Sequence, residues 1–213
     1  MTECSTARII IESFVAGGTI LVAVLAIWGD WIREKLGVGP KLRLRVRDTK
    51  GNLTFRGDGR RVIYYHLIVE NQHPWALAKG VQVMITGIWR RAAGGNFKAE
   101  DLAARLPLTW QFPHSNPVTP NLRESRVCDL GFIVEGDDEF KPSLYIRPNN
   151  FKGDVEANDA VKFGLEIRAD NFTSKSPHVV AVSWDGKWTS DLDEMSIHPD
   201  ITDEGSEPGG DNG

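Results

Sequence analysis

The chain opens with a long apolar stretch and continues as short segments in which apolar and polar residues alternate. Residues 9–28 read IIIESFVAGGTILVAVLAIW and carry a single charge, on Glu12. Twenty helical residues rise about 1.5 Å each and span about 30 Å, the thickness of the hydrocarbon core of a bilayer. The stretch therefore predicts one transmembrane helix at residues 9–28, after a leader of residues 1–8.

The residues in and around this helix predict where it meets water and other helices. Tryptophans close the stretch and basic residues follow it, and both favour the membrane–water interface. The candidate interface residues are Trp28, Trp31, Arg33, Lys35, Lys41, Arg43, Arg45 and Arg47. Small residues recur at spacings of three and four, which lets helices approach closely in lipid, although such residues are also common in isolated spans. The candidate helix–helix contacts are Ser13, Ala16, Gly17, Thr19, Ala23 and Ala26.

The distribution of basic residues predicts the orientation of the helix. One basic residue, Arg8, precedes the stretch, and six lie between residues 33 and 47. Lysine and arginine in short flanks favour the cytoplasmic side, so we expect a single-pass protein of the cell membrane with its amino terminus outside and its domain in the cytoplasm. The opposite orientation stays open, because four of the six basic residues also fit a strand pattern.

Period-two patterns predict the domain that follows a linker at residues 29–40. Residues 41–47, KLRLRVR, alternate strictly, so that apolar side chains point one way and basic side chains the other. The basic face suits either an anionic partner such as lipid headgroups or plain solvent. Runs rich in β-branched and aromatic residues predict further strands at 53–55, 62–70, 81–89, 108–112, 126–134, 143–147, 161–169 and 179–184. Residues 96–106 have helical spacing.

Eight or nine short strands separated by turn residues are typical of an antiparallel β-sandwich, with a barrel as the alternative. We assign this domain to residues 41–198. Residues 199–213 are acidic and rich in glycine, with too few apolar residues to form a core. They predict a disordered acidic tail.

One segment carries a family resemblance. Residues 65–87 read YHLIVENQHPWALAKGVQVMITG: an alternating strand ends in an asparagine turn, a loop holds a small residue, and a valine-rich strand follows. This arrangement resembles the paired strands of immunoglobulin-like bacterial β-sandwich modules. The resemblance implies an immunoglobulin-like fold and assigns no functional residue.

Motifs for chemistry are missing from the sequence. The five histidines stand at no ligand spacing, and no phosphate-binding loop or nucleophile elbow is present. We therefore expect no catalytic residue, cofactor or metal. Cys128 reads as a strand residue packed in the core. Trp75 and Trp188 lie in turn regions, so they are candidates for an exposed ligand surface.

Three hypotheses for the function follow. The first is a non-enzymatic, membrane-anchored β-sandwich that binds a protein partner or its own copies, with membrane lipid as a further partner and no nucleic acid. The second is an exported carbohydrate-binding or adhesive module on a membrane stalk, suggested by the tryptophans. The third is a membrane-bound hydrolase whose site is assembled from distant histidines and carboxylates.

Overall fold

The computed structural model describes residues 17–20, 22–24, 26–29, 39–112 and 117–206. The chain divides into two units, Met1–Gly39 and Pro40–Gly213. In the first unit, residues 17–20, 22–24 and 26–29 are helical. Several of their apolar side chains are largely exposed, among them Ile20 at 65%, Val22 at 67% and Ile27 at 73%.

The transmembrane prediction for residues 9–28 extends beyond these residues. Residues 9–16, 21 and 25 lie outside the described residues. Within the described part of the chain, no helix has both the length and the apolar character that crossing a bilayer requires. The span therefore stays a prediction from the sequence.

The second unit is built almost entirely from strands. The described residues form β1 (Leu42–Val46), β2 (Asn52–Phe55), β3 (Arg61–Asn71), β4 (Gln82–Arg91), β5 (Phe97–Ala99), β6 (Leu106–Pro107), β7 (Ser125–Val134), β8 (Glu139–Pro142), β9 (Val155–Glu156), β10 (Asp159–Ala169), β11 (Phe172–Thr173), β12 (His178–Trp184) and β13 (Pro199–Ser206), with one short helix, α1 (Leu192–Met195). The strand patterns of the sequence located the long strands correctly, since β3, β4, β7, β10 and β12 coincide closely with predicted ones.

The strands of this unit form two antiparallel sheets. The order in the first sheet is β1-β3-β7-β8-β9, with β2 also paired to β3. The order in the second is β13-β12-β10-β4-β5, with β11 paired to β10 and β6 to β4. Both sheets contribute side chains to one apolar core, so the mainly β, sandwich-like architecture is confirmed. Strands β1 and β13 each lie at an edge of their sheet and contact one another.

Alternation along the central strands creates the core between the sheets. In β3, Ile63 and Leu67 point inward, and in β10 Phe163 does the same; all three are fully buried. Burying a side chain of this size contributes about 1.5–3 kcal/mol relative to leaving it exposed. Cys128 in β7 is also fully buried in this core, as the sequence predicts.

The helical spacing of residues 96–106 misled the prediction for that segment. Phe97–Ala99 instead form β5, and Leu106–Pro107 form β6, both against β4. The backbone N–H of Glu100 donates to the carbonyl oxygen of Ile88 at 2.8 Å. The edge of β4 thus supplies hydrogen bonds that outweigh the weak helical preference of a short segment.

The predicted acidic tail is wrong for its first eight residues. Pro199–Ser206 form β13, paired along the whole of β12. Ile201 reaches the core with 5% exposure, and the Glu204 carboxylate pairs with the ammonium of Lys162 at 2.7 Å. Strand pairing therefore orders a segment whose composition alone predicts disorder. Residues 207–213 lie outside the described residues.

Candidate functional site

A cleft of about 430 Å³ lies beside β1, where the edges of the two sheets approach one another. Its volume falls within the range of about 300–1,000 Å³ that is usual for ligand sites. It is lined by Leu42, Arg43, Leu44, Leu165, Ile167, Ser174, Ser176, His178, Asp203 and Gly205. Four of these residues are aliphatic and buried in the core, and the accessible surface of the cleft is mostly polar.

The backbone of β1 borders this cleft with the edge that faces away from β3, and no other described strand pairs with that edge. Arg47 is bonded to β3, because its N–H donates to the His66 carbonyl oxygen at 3.0 Å. The backbone N–H of Val46 points away from β3 and donates to the Asp203 carboxylate at 3.3 Å. Since backbone groups alternate along a strand, the N–H and C=O groups of Leu42 and Leu44 also point away from β3. No described residue pairs with β1 on that side.

Charges are arranged on two sides of the cleft. On the outer face of β1, Arg43, Arg45 and Arg47 are exposed, while Leu42 and Leu44 are buried, as the alternation in the sequence predicts. Arg47 lies 3.8 Å from Asp48. Arg43 and Arg45 form no ion pair with any residue that the structure describes, which leaves two guanidinium groups available to an anionic partner.

The opposite wall of the cleft carries a histidine–aspartate contact. The Nε2 atom of His178 lies 2.8 Å from Oδ1 of Asp203. This is an ion-pair distance, but the angles do not form a hydrogen bond, and His178 Nε2 has no other partner among the described residues. The second carboxylate oxygen of Asp203 accepts the Val46 N–H, so Asp203 connects the edges of the two sheets.

Two further histidine–aspartate pairs lie elsewhere in the second unit. Nδ1 of His66 lies 2.8 Å from Oδ1 of Asp129, and the two residues are 4% and 5% exposed. Nδ1 of His198 lies 2.9 Å from Oδ2 of Asp185 in a second cleft. Partial burial acts to raise the pKa of Asp185, but hydrogen bonds from Lys187 and His198 outweigh it and lower that pKa.

Sequence spacing gave no sign of these pairs, because each aspartate lies on another element or beyond a turn. Each of the three histidines contacts one carboxylate. Over the described residues, no group of three or more histidine, cysteine, aspartate or glutamate side chains is placed to hold a metal ion. Two histidines and a carboxylate together in a pocket would support the hydrolase hypothesis, and each of the two clefts described above contains one histidine.

The remaining candidate residues are distributed over both units. Trp28 is 54% exposed in the helical part of the first unit, where Gly17, Thr19, Ala23 and Ala26 are also exposed. The candidates outside the described residues are Ser13, Ala16, Trp31, Arg33 and Lys35. Lys41 lies directly before β1, Arg43 and Arg45 lie in it, and Arg47 directly follows it. Their roles at a membrane or helix contact stay predictions.

The two candidate tryptophans of the ligand surface have different surroundings. Trp75 is 65% exposed, and its ring stacks on His73 with centroids 4.6 Å apart. Trp188 packs against the edge of the core, with the Arg61 guanidinium 4.8 Å from its ring centroid. Of the two, Trp75 has the surface that a ligand could reach.

Comparison with known proteins adds no assignment, since neither a family model nor a curated protein matches this chain. The immunoglobulin-like resemblance of residues 65–87 stays a prediction. The cleft beside β1 is the feature on which a function can be built, because it combines a strand edge and two arginines that have no partner among the described residues.

Proposed function

We propose that this chain is a non-enzymatic, membrane-tethered β-sandwich that binds an extended segment of a partner protein along the free edge of β1. The observation that carries the proposal is the set of outward-pointing backbone groups of Leu42 and Leu44 beside a cleft of ligand-binding size. An extended peptide can add a strand to such an edge, with main-chain hydrogen bonds supplying affinity and side-chain pockets supplying specificity.

The geometry of β1 defines the chemistry of the segment it would bind. Alternate side chains of an added strand would face inward, toward the cleft and its residues Leu165 and Ile167. The intervening side chains would lie on the outer face, beside Arg43 and Arg45. The preferred segment therefore alternates apolar with acidic residues.

Charge also distinguishes a partner protein from a second copy of this chain. If two copies of β1 paired in antiparallel fashion, the arginines of one strand would lie beside the arginines of the other. Like charges across a strand pair are destabilising, and charged edges are a common protection against such pairing. We therefore favour a partner protein at this edge over self-association through it.

The membrane tether of this proposal rests on residues 9–28, whose length and single charge suit a bilayer span. The exposed apolar side chains of Ile20, Val22 and Ile27 support it, since such side chains need lipid or another apolar surface. With the orientation expected from the basic flanks, the partner would be met at the cytoplasmic face of the cell membrane.

Two synthetic ten-residue peptides test the proposal, one alternating valine with glutamate and the other valine with lysine. The full chain in detergent should bind the glutamate peptide about tenfold more tightly, because two cross-strand charge pairs contribute about 0.2–1 kcal/mol each and the lysine peptide makes repulsive ones instead. Isothermal calorimetry measures both affinities.

Charge reversal at the edge provides the matched test. The double variant Arg43→Glu/Arg45→Glu should prefer the lysine peptide, whereas Lys98→Glu, on the exposed strand β5 of the other sheet, should keep the original preference. Equal binding of both peptides, no binding of either, or an unchanged preference in the double variant would each contradict strand addition at β1.

A further inference from the structure

One end of the sandwich differs from the rest of its surface. At this end the chain enters the second unit, and three loops lie together there. The N–H of Gln72 donates to the carbonyl oxygen of Lys41 at 2.8 Å, and the N–H of Asp170 donates to that of Lys79 at 2.8 Å. The N–H of Ala78 donates to the carbonyl oxygen of Leu122 at 3.0 Å. We name this surface, formed by residues 40–41, 72–80, 112, 118–126 and 170–175, the basic end.

Large apolar side chains are exposed at the basic end. Trp75 is 65% exposed, Phe112 68% and Val118 45%. Val118 is held in place, because Trp110 Nε1–H donates to its carbonyl oxygen at 3.1 Å. The backbone N–H of the preceding Gln111 donates to the carbonyl oxygen of Val127 at 3.1 Å. Val127 is next to Arg126, so Phe112 lies at the same end. An aromatic ring with one polar edge, such as that of Trp75, suits a membrane interface.

Basic side chains surround these apolar residues. They are Lys41, Lys79, Arg123, Arg126 and Lys175, of which Arg126 is half-buried and the others exposed. None of them forms an ion pair with a residue in the described ranges. Two acidic residues, Glu124 and Asp170, lie among them, so positive charge is in excess.

The opposite end of the sandwich shows the contrast. There Arg60 and Lys141 each lie 2.9 Å from the Asp137 carboxylate, and Arg61 Nε donates to Glu135 at 2.9 Å. The hydrogen bond from Arg61 is the main reason why the pKa of Glu135 is lowered. Basic residues are thus neutralised within the protein at one end and left to an external anion at the other.

We infer that the basic end docks on the anionic headgroups of a lipid bilayer. Exposed aromatic side chains among unpaired lysines and arginines form the combination that binds such a surface, where anionic lipids attract the charges and the rings enter the interface. The linker predicted at residues 29–40 extends to about 40 Å at most, which keeps this end within reach of a membrane that holds residues 9–28. The tether is part of the proposed function, whereas strand addition at β1 is not required.

Fluorescence quenching by brominated phosphatidylcholine tests this docking. The full chain is reconstituted into vesicles of phosphatidylcholine, with or without added phosphatidylserine, and the difference between wild type and Trp75→Phe isolates the emission of Trp75. We expect Trp75 to be quenched in the vesicles that contain phosphatidylserine. High salt should weaken the quenching, because it screens the headgroup charges.

Charge variants show whether the basic residues bring Trp75 to the membrane or whether Trp75 is near it only because the chain is tethered. In Lys41→Gln/Arg123→Gln/Arg126→Gln the quenching of Trp75 should disappear, whereas in Lys98→Gln it should equal that of the wild type. Circular dichroism of both variants should match the wild type. The inference is overturned if Trp75 is not quenched, if the triple variant is quenched as strongly as the wild type, or if the chain does not associate with the vesicles. Peptide binding at β1 is measured separately in detergent, so strand addition and membrane docking can each be disproved without the other.

Discussion

Replacing Asp129 by alanine is expected to lower the free energy of unfolding by about 2–4 kcal/mol, since it leaves a buried polar ring without its partner. His66 and Asp129 are 4% and 5% exposed, and their hydrogen bond of 2.8 Å joins β3 to β7. The Nε2 atom of His66 already has no partner among the described residues. After the substitution, both ring nitrogens would be buried and unpaired.

A double-variant cycle distinguishes this cause from loss of packing. His66→Leu/Asp129→Leu replaces both polar groups with apolar ones, so it should be more stable than the sum of the two single leucine variants predicts. Urea denaturation of the full chain measures all four proteins. Strictly additive losses would show that the two side chains do not depend on one another.

Replacing Phe140 by alanine is expected to cost about 3–5 kcal/mol, the usual range for removing a fully buried aromatic ring. Phe140 is 0% exposed and packs on Tyr65, with ring centroids 5.9 Å apart. Its ring also fills the space beside Gly131 in the neighbouring strand, where an added β-carbon would lie 2.4 Å from Cζ of Phe140. The ring therefore joins β8 to β7 through the core.

The matched control is Phe55→Ala on strand β2, where the same side chain is 69% exposed. It should change the free energy of unfolding by no more than about 0.5 kcal/mol. The same denaturation experiment compares the two variants. Similar losses for both would show that Phe140 is not packed in the core as described.

The sequence predicted those parts of the fold that depend on local pattern. The alternation of residues 41–47 located β1 and its basic face, and the run VIYYHLIVE located β3. In both cases the period-two pattern lies in neighbouring residues, so the strand can be predicted without knowing its distant partners. The same holds for β10 and β12, whose apolar runs are bounded by turn residues.

Features that depend on distant residues escaped prediction. Strand β13 exists because β12 pairs with it, and β5 exists because the edge of β4 is free to pair. The cleft needs β1, β10, β12 and β13 together, and the pairs of His66 with Asp129 and of His178 with Asp203 join separate strands. The spacing of residues along the chain does not predict contacts between residues that lie far apart in the sequence.

Amide hydrogen exchange at the edge of β1 tests strand addition most directly. With the valine–glutamate peptide bound to the full chain, the N–H groups of Leu42 and Leu44 should exchange more slowly, because the peptide accepts their hydrogen bonds. Those of Arg43 and Arg45, already bonded to β3, should exchange at unchanged rates. Unaltered exchange at Leu42 and Leu44 in the peptide-bound protein would contradict the account.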